Sequence, residues 1–203
     1  MMSARSIAEQ FQQHFHRAPE LLVRAPGRIN LIGEHTDSND GFVLPAAIDK
    51  AIWFAFGRRA EEALSFHAFD LQEHYTGSLS GLTRSAVYPW ANYLLGVMSE
   101  ARRDGLPLGG LDVAFGGEIP LGAGLSSSAA LESGVAFALN HFFKWGLDKP
   151  ALARLAQRGE NFFVGMRCGI MDMFASLLGR ADHALLLDCR SLEYTYYPLT
   201  TTD

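Results

Sequence analysis

Ile7, Phe11 and Phe15 recur every fourth residue after Ser3, which predicts a short amphipathic helix laid with one face on the body of the protein. From Leu21 to about His74 the pattern changes. The runs LLVRAP, AIWFAF and LSFHAF are broken by Gly41, Gly57 and polar turns, and they predict the strands of a sheet. Trp90, Tyr93, Leu94, Val97, Met98 and Ala101 then mark one face of a helix that stops at Gly105. Leu111, Val113 and Phe115 alternate with smaller or polar residues, the signature of another strand.

The segment PLGAGLSSSAALE, positions 120 to 132, leads into a helix on which Leu131, Val135, Leu139 and Phe142 share a face. Asp148 is placed to cap a further helix, with Pro150 in its first turn and Leu152, Leu155 and Ala156 as its apolar stripe; Gly159 softens its later turns. After Gly169 a short helix turns Ile170, Phe174, Leu177 and Leu178 inward, and Gly179 supplies its stop. ALLLDC and YTYYPL are expected to close the fold as strands. Strands interleaved with helices, without a repeat or linker, point to one domain of the α+β or α/β class rather than a bundle.

Composition narrows the picture. At 203 residues with 48% hydrophobic and 19% charged side chains, the chain can bury a real core. The net charge of -5, with no run of Lys and Arg, offers no field to attract nucleic acid. Cys168 and Cys189 stand far apart with no CxxC or His-rich partner, so neither a disulfide framework nor a zinc site is expected. The first fifteen residues lack the apolar core of a signal peptide, and no stretch approaches the ~20 apolar residues of a membrane span. A soluble cytoplasmic protein is the expectation.

Three stretches concentrate chemistry. In PLGAGLSSSAALE, Gly122 and Gly124 let backbone approach a ligand just where three hydroxyls open a helix, and free N–H groups at a helix start favour phosphate. The spacing fits neither GxxxxGK[ST] nor GxGxxG. A plain glycine turn with a serine-capped helix is the competing account. APGRINLIGEHTD, positions 25 to 37, crowds Arg28, Asn30, Glu34, His35 and Asp37 together, as a polyhydroxylated substrate with many hydrogen-bonding groups would require; a solvated turn is the alternative. In NFFVGMRCGIMDMF, Asp172 lies in an apolar run, either as a helix-start carboxylate or as a general base held near Arg28.

Together the three stretches resemble the galactokinases, a family of GHMP small-molecule kinases: the first carries GRINLIGEHTD, the second GLSSSAALE and the third CGIMDMF. The resemblance covers nearly the whole chain, and WANYLLGV is similar to the family's adenine-side helix. It implies a GHMP kinase N-terminal domain, an α+β fold in which a mixed sheet packs with helices and includes a left-handed crossover. It implies that Arg28 and Asp172 are the catalytic pair, that Glu34, His35, Asp37 and Gly169 contact galactose, and that Gly122, Gly124, Leu125, Ser126, Ser127 and Ser128 hold the phosphates of ATP. Trp90 and Tyr93 are then expected against the base, with core packing as the alternative for both and above all for Tyr93, and Mg2+ is expected on Ser128 and Glu160. The implied reaction is transfer of the γ-phosphoryl of ATP to the anomeric hydroxyl of α-D-galactose.

The chain departs from the family at three places. Gly159 stands for the usual alanine and is expected to loosen its helix. Met173 stands for glutamine and Ser38 for tyrosine, and both are expected to border the site and bear on which sugar fits. The family also implies a C-terminal lobe, for which no sequence is present after Asp203, so the chain is expected to be an N-terminal portion, inactive or poor by itself and prone to self-association through YTYYPL. A kinase for N-acetylgalactosamine or arabinose is an alternative, as is an ATP- and galactose-binding sensor without turnover; intact Ser126, Ser127, Ser128 and Ala129 favour the enzyme.

Overall fold

The computed structural model describes residues 2–120 and 123–199 of the chain. Helix α1, Ala4–Phe15, starts at a capping box in which the hydroxyls of Ser3 and Ser6 each accept the other's backbone N–H. Strand β1 is Leu21–Asn30, β2 is Phe42–Val43, β3 is Pro45–Arg58, β4 is Ala63–Ala68 and β5 is Glu73–Ser78; helix α2, Ala91–Arg103, precedes β6, Leu111–Gly117. Five of these strands form one sheet in the order β1-β3-β6-β4-β5. β4 and β6 run parallel and the other neighbours antiparallel, so the sheet is mixed, and the parallel pair requires the chain to cross over through β5 and α2.

The remaining elements are α3, Ser127–Phe143; α4, Lys149–Arg158; α5, Met171–Leu178; β7, His183–Asp188; and β8, Tyr194–Pro198. β7 pairs with both β2 and β8 in a second, three-stranded sheet. Both faces of the large sheet are covered, which explains why AIWFAF reads as a continuous apolar run. Phe54 and Phe56 of β3 point into the main core with α2, α3, α4 and α5, while Trp53 and Ala55 meet Ile7, Phe11 and Phe15 of α1 on the other face. The α+β class and the mixed sheet with packed helices are as expected.

α3 is buried almost all round, from Ala129 through Ala136, because it packs against α2, α4, α5 and the sheet at once. Asp148 caps α4 by accepting the N–H of Ala151 at 2.8 Å. Gly159, expected to loosen its helix, stands where the α-helical pattern of α4 ends. Here α4 runs directly into a π-helical turn, Gly159–Val164, and a Cβ at Gly159 would lie 2.9 Å from the backbone carbon of Gly96 in α2. The two glycines let two helical backbones touch, and an alanine could fit only by forcing them apart.

Phe42 is 62% exposed and Tyr197 50% exposed on the small sheet, so apolar and aromatic surface does stand open there. No helix of the described residues is long and apolar enough to cross a membrane.

Where α1 meets the β4–β5 hairpin, three histidines gather. The ring of His14 lies 4.1 Å from that of His67 and 4.8 Å from that of His74. His67 Nδ1 is buried without a partner, whereas His74 Nε2 is 2.7 Å from the Ser65 hydroxyl. Burial, reinforced by the charges that His14 and His74 would carry, pushes the His67 pKa down to about 4; burial, followed by His74, also lowers that of His14, against the pull of Asp112 on β6. Asp112 is itself paired with Arg17 and Arg59 and cannot neutralise the cluster fully. An imidazole depressed in the folded state binds fewer protons than in the unfolded chain, so stability is full above the ordinary value of 6.5 and falls as pH drops towards 4. Urea midpoints measured at about pH 7.5 and about pH 5 are expected to differ clearly in the parent chain and much less in His67→Phe.

Candidate functional site

The register of β1 against β3 shifts between Pro26 and Arg28, a bulge at Gly27 after which Arg28 resumes the ladder opposite Ala47. Its guanidinium then meets the carboxylate of Asp172, in the first turn of α5, as a two-pronged pair: Nε to Oδ1 at 2.6 Å and Nη2 to Oδ2 at 2.9 Å. The third nitrogen, Nη1, donates to the Gly124 carbonyl at 2.6 Å, and the Arg28 backbone N–H donates to that of Leu125 at 3.2 Å. One arginine thus ties β1, α5 and the glycine loop together. Gly122 lies outside the described residues.

Ser126 occupies the N-cap of α3 in the left-handed region, φ 60°, unusual for a residue with a Cβ. Its hydroxyl does not cap its own helix; it donates to Asp172 Oδ2 at 2.5 Å. The amides that open α3, at Ser127, Ser128 and Ala129, therefore keep no side-chain partner at the N-cap and present a helix start to an anion. Gly124, also left-handed at φ 69°, has open space where a side chain would be.

Asp37, in a short 3-10 turn at Asp37–Asn39, approaches this pair from the other side. A Cβ on Gly169 would lie 2.1 Å from Asp37 Oδ2, so only glycine lets the carboxylate sit there. Burial and then the neighbouring charge of Asp172 raise the Asp37 pKa, partly offset by the Ser38 N–H and Arg28. Asp37, Ser38 and Gly169 line a cleft of about 760 Å³. Glu34 and His35 are exposed and outside it: Glu34 accepts from Asn30 Nδ2 at 3.0 Å, and His35, at φ 62°, is held through its carbonyl by Asn39.

A second, mostly apolar cavity of about 170 Å³ adjoins the start of α3, lined by Ile52, Leu71, Trp90, Phe115, Ser127 and Leu131. The Trp90 indole N–H donates to Glu73. Tyr93 is not among its walls. The structure sets its phenol near the carboxyls of Glu160 and Glu132, and burial followed by those charges raises its pKa.

Glu160 is buried at the π-helical turn and accepts from the Cys168 thiol at 3.1 Å. Beside it Glu132 is 0% exposed, with neither carboxyl oxygen in hydrogen-bonding geometry with a partner, and burial followed by the Glu160 charge pushes its pKa well up. Ser128 and Glu132, four apart on α3, share a helix face. Hydroxyl and carboxyl oxygens short of a positive charge suit a hard cation such as Mg2+, though among the described residues no three His, Cys, Asp or Glu side chains are arranged to hold a metal by themselves. Glu132 escaped the sequence reading; its signal was a lone acid in the small, apolar run SSAALESG.

The expectation that Met173 borders the site is corrected. It is 0% exposed in the core, because the position after Asp172 lies about 100° further round α5. Ser38 does reach the cleft.

A family profile for the galactokinase galactose-binding signature matches residues 9–58, and one for the N-terminal domain of GHMP kinases matches residues 92–180. The chain is 47% identical over 199 residues to a galactokinase of Roseiflexus sp. (strain RS-1) and 41% identical over 201 residues to one of Chloroflexus aggregans. The chain resembles the galactokinases, a family of GHMP kinases, along nearly its whole length. A Lactococcus lactis galactokinase solved with galactose superposes with a TM-score of 0.91 at 32% identity, covering 98% of this chain and 52% of that one. A Methanococcus jannaschii mevalonate kinase, at 20% identity and TM-score 0.69, shares the fold. The match to the two galactokinase relatives takes in 98% and 99% of this chain but 51% and 52% of theirs, so the chain spans about half the length of the curated relatives it matches. Within this galactokinase-like site, Gly169→Ala is expected to displace Asp37 and cost about 1–3 kcal/mol of stability through overpacking, read as a lowered urea midpoint with the slope unchanged.

Proposed function

We propose that this domain carries the catalytic half of a galactokinase, which transfers the γ-phosphoryl of ATP to the anomeric hydroxyl of galactose in the cytoplasm. The observation that carries the reading is the Asp172 carboxylate clasped by Arg28 and Ser126 at the mouth of an uncapped helix start. A carboxylate offers about four lone-pair sites, and three hydrogen bonds are in place, two of them on Oδ2. The site left over is on Oδ1. There Asp172 accepts the hydroxyl proton as the sugar oxygen bonds to phosphorus and the β,γ-bridging oxygen leaves with ADP.

Asp37, against Gly169, holds sugar hydroxyls and fixes the ring, while Glu34 and His35 extend the contact surface once a sugar is bound. The loop from Gly122 to Ser128, Leu125 included, cradles the phosphates through its backbone, and Trp90 backs the apolar cavity for the base, with Tyr93 one step removed. Ser128 and Glu160 would hold Mg2+, which when bound neutralises phosphate charge. Fixed positions and charges supply most of the rate in such transfers. Asp172→Asn is expected to lower kcat by at least about a hundredfold while galactose affinity stays within about threefold. Calorimetry with galactose beside a coupled kinase assay separates the two, and near-normal turnover would remove Asp172 from the mechanism.

The curated relatives run about twice this length, and we assign the remaining wall of the site to a second lobe equivalent to their other half. On that assignment the 203-residue chain alone binds nucleotide yet turns over galactose poorly and self-associates through the open face around Phe42 and Tyr197. Robust turnover by a monodisperse monomer, judged by light scattering, would refute the assignment.

A further inference from the structure

Helix α1 has a small core of its own. Ile7 and Phe11 pack there with Ala55 of β3 and Ala114 of β6, flanked by Met2, Phe15, Trp53 and Phe69, on the face of the large sheet away from the main core. At the rim of this contact His14 meets His67 and His74, which are directly paired across β4 and β5. The seam is poorly satisfied: His67 Nδ1 and, on α1 itself, Gln10 Oε1 are buried without a hydrogen-bond partner. Charge around the cluster is positive or already committed. His16 and Arg17 follow the helix, Arg58 ends β3 in a pair with Glu20, and Arg24 of β1 lies over Trp53. Asp112 of β6 is the acid whose charge reaches His14, and it is paired with both Arg17 and Arg59. Glu73 of β5 is bonded by the Trp90 indole, Asp70 by the Gly117 N–H, and Glu9 on α1 by Arg5. Neutral imidazoles can pack in this way, whereas a proton on one sets its charge against the others.

The same helix backs the apolar cavity beside the start of α3. A Cβ on Gly116 would lie 2.8 Å from Met2 Cε and 3.1 Å from Asp70 Oδ1, so the approach to α1 touches β6 between Phe115 and Gly117, both of which line that cavity. Phe69, whose ring lies 4.2 Å from that of His67, belongs to the small core, and its neighbours Ala68, Asp70 and Leu71 line the cavity too. Two hydrogen bonds tie this wall together: the Phe69 N–H donates to the Phe115 carbonyl at 2.9 Å, and the Gly117 N–H to Asp70 Oδ2 at 2.6 Å. We propose that α1 is an acid-released latch: protonation of the His14, His67 and His74 cluster detaches the helix as a unit and slackens the cavity wall at residues 68–71 and 115–117, leaving the main core folded. Burial, then His14 and His74, hold the His67 pKa at about 4 while the helix is docked, against an ordinary 6.5 after release. Docking is therefore at full strength above about pH 6.5 and is lost as pH falls towards 4. Only the small core has to open, which places the event among local rather than global unfolding. Acid then also weakens nucleotide binding, a consequence that rests on the reading of this cavity as the site of the base.

Amide hydrogen exchange on the 203-residue chain at about pH 7.5 and about pH 5, read residue by residue by NMR as protection factors that correct for intrinsic exchange, tests the latch without any ligand. Protection of α1, of Phe69 and of Gly117 is expected to fall together by about tenfold or more at the lower pH, while Phe54, Val113 and Ala136 keep theirs. His67→Phe and His14→Gln, which remove an imidazole from either side of the seam, are each expected to shrink that fall. An α1 that stays protected at about pH 5, a loss shared equally by the main core, an α1 loss that leaves Phe69 and Gly117 protected, or a fall as large in both variants as in the parent would overturn the proposal. Calorimetry with ADP addresses the cavity separately. Its affinity is expected to drop at least about threefold more between the two pH values in the parent than in His67→Phe, and equal drops would count against the latch. ADP that binds at neither pH counts against the reading of the cavity as the site of the base, while the exchange result still decides the latch.

Discussion

The two-pronged ion pair between Arg28 and Asp172 is the interaction on which the rest of the site depends. With side chains 14% and 24% exposed, neither charge could stand there alone without a desolvation cost, which reaches about 3–5 kcal/mol when one partner of a fully buried pair is removed and is smaller here. The pair also fixes geometry. It brings the first turn of α5 to the edge of β1, and the remaining arginine nitrogen and backbone amide pin the glycine loop to the same place. A bulge at Gly27, a left-handed serine and a glycine at 169 are the local conditions that let these groups converge.

Ser126 shows how strain and charge are balanced. A left-handed conformation at a residue with a Cβ costs about 1–3 kcal/mol, and a hydrogen bond to a charged group contributes about 1.5–3 kcal/mol in return. The conformation carries the hydroxyl away from the helix it opens and onto Asp172. In consequence the start of α3 stays without a cap, which is what an anion needs, and the carboxylate gains a third contact. One backbone conformation thus leaves the helix start open and adds a contact to the carboxylate.

Much of the fold was legible because its signals are local. The spacing of Ile7, Phe11 and Phe15, the Asp148 cap and the alternation around Val113 each depend on residues a few positions apart, and each element stands where expected. The motif segments were equally readable, since Arg28, Asp172 and the serine run lie in short stretches dense in polar or small residues. What stayed hidden depends on distance or direction. Nothing in RGENFF indicates that Gly159 meets Gly96, some sixty positions earlier, backbone to backbone. The usual preference of serine for capping its own helix concealed the reach of Ser126 to Asp172. Met173 is next to Asp172 along the chain but, by the turn of a helix, faces the core, and Tyr93 turns towards Glu160 and Glu132 rather than into the apolar cavity.

The span of the Arg28–Asp172 contact also matters during synthesis. Its partners are 144 residues apart, and a ribosome adds about 5–20 residues per second, so the carboxylate is made roughly 7–30 s after the guanidinium. Throughout that interval β1 and β3 can pair as a hairpin with a cation on the edge and no counter-charge. The glycine loop emerges meanwhile, with the Arg28 guanidinium and backbone N–H as its hydrogen-bond donors from β1. Nascent chains that have not yet exposed α5 from the exit tunnel thus have the strands of the large sheet but lack the carboxylate that completes the ion pair.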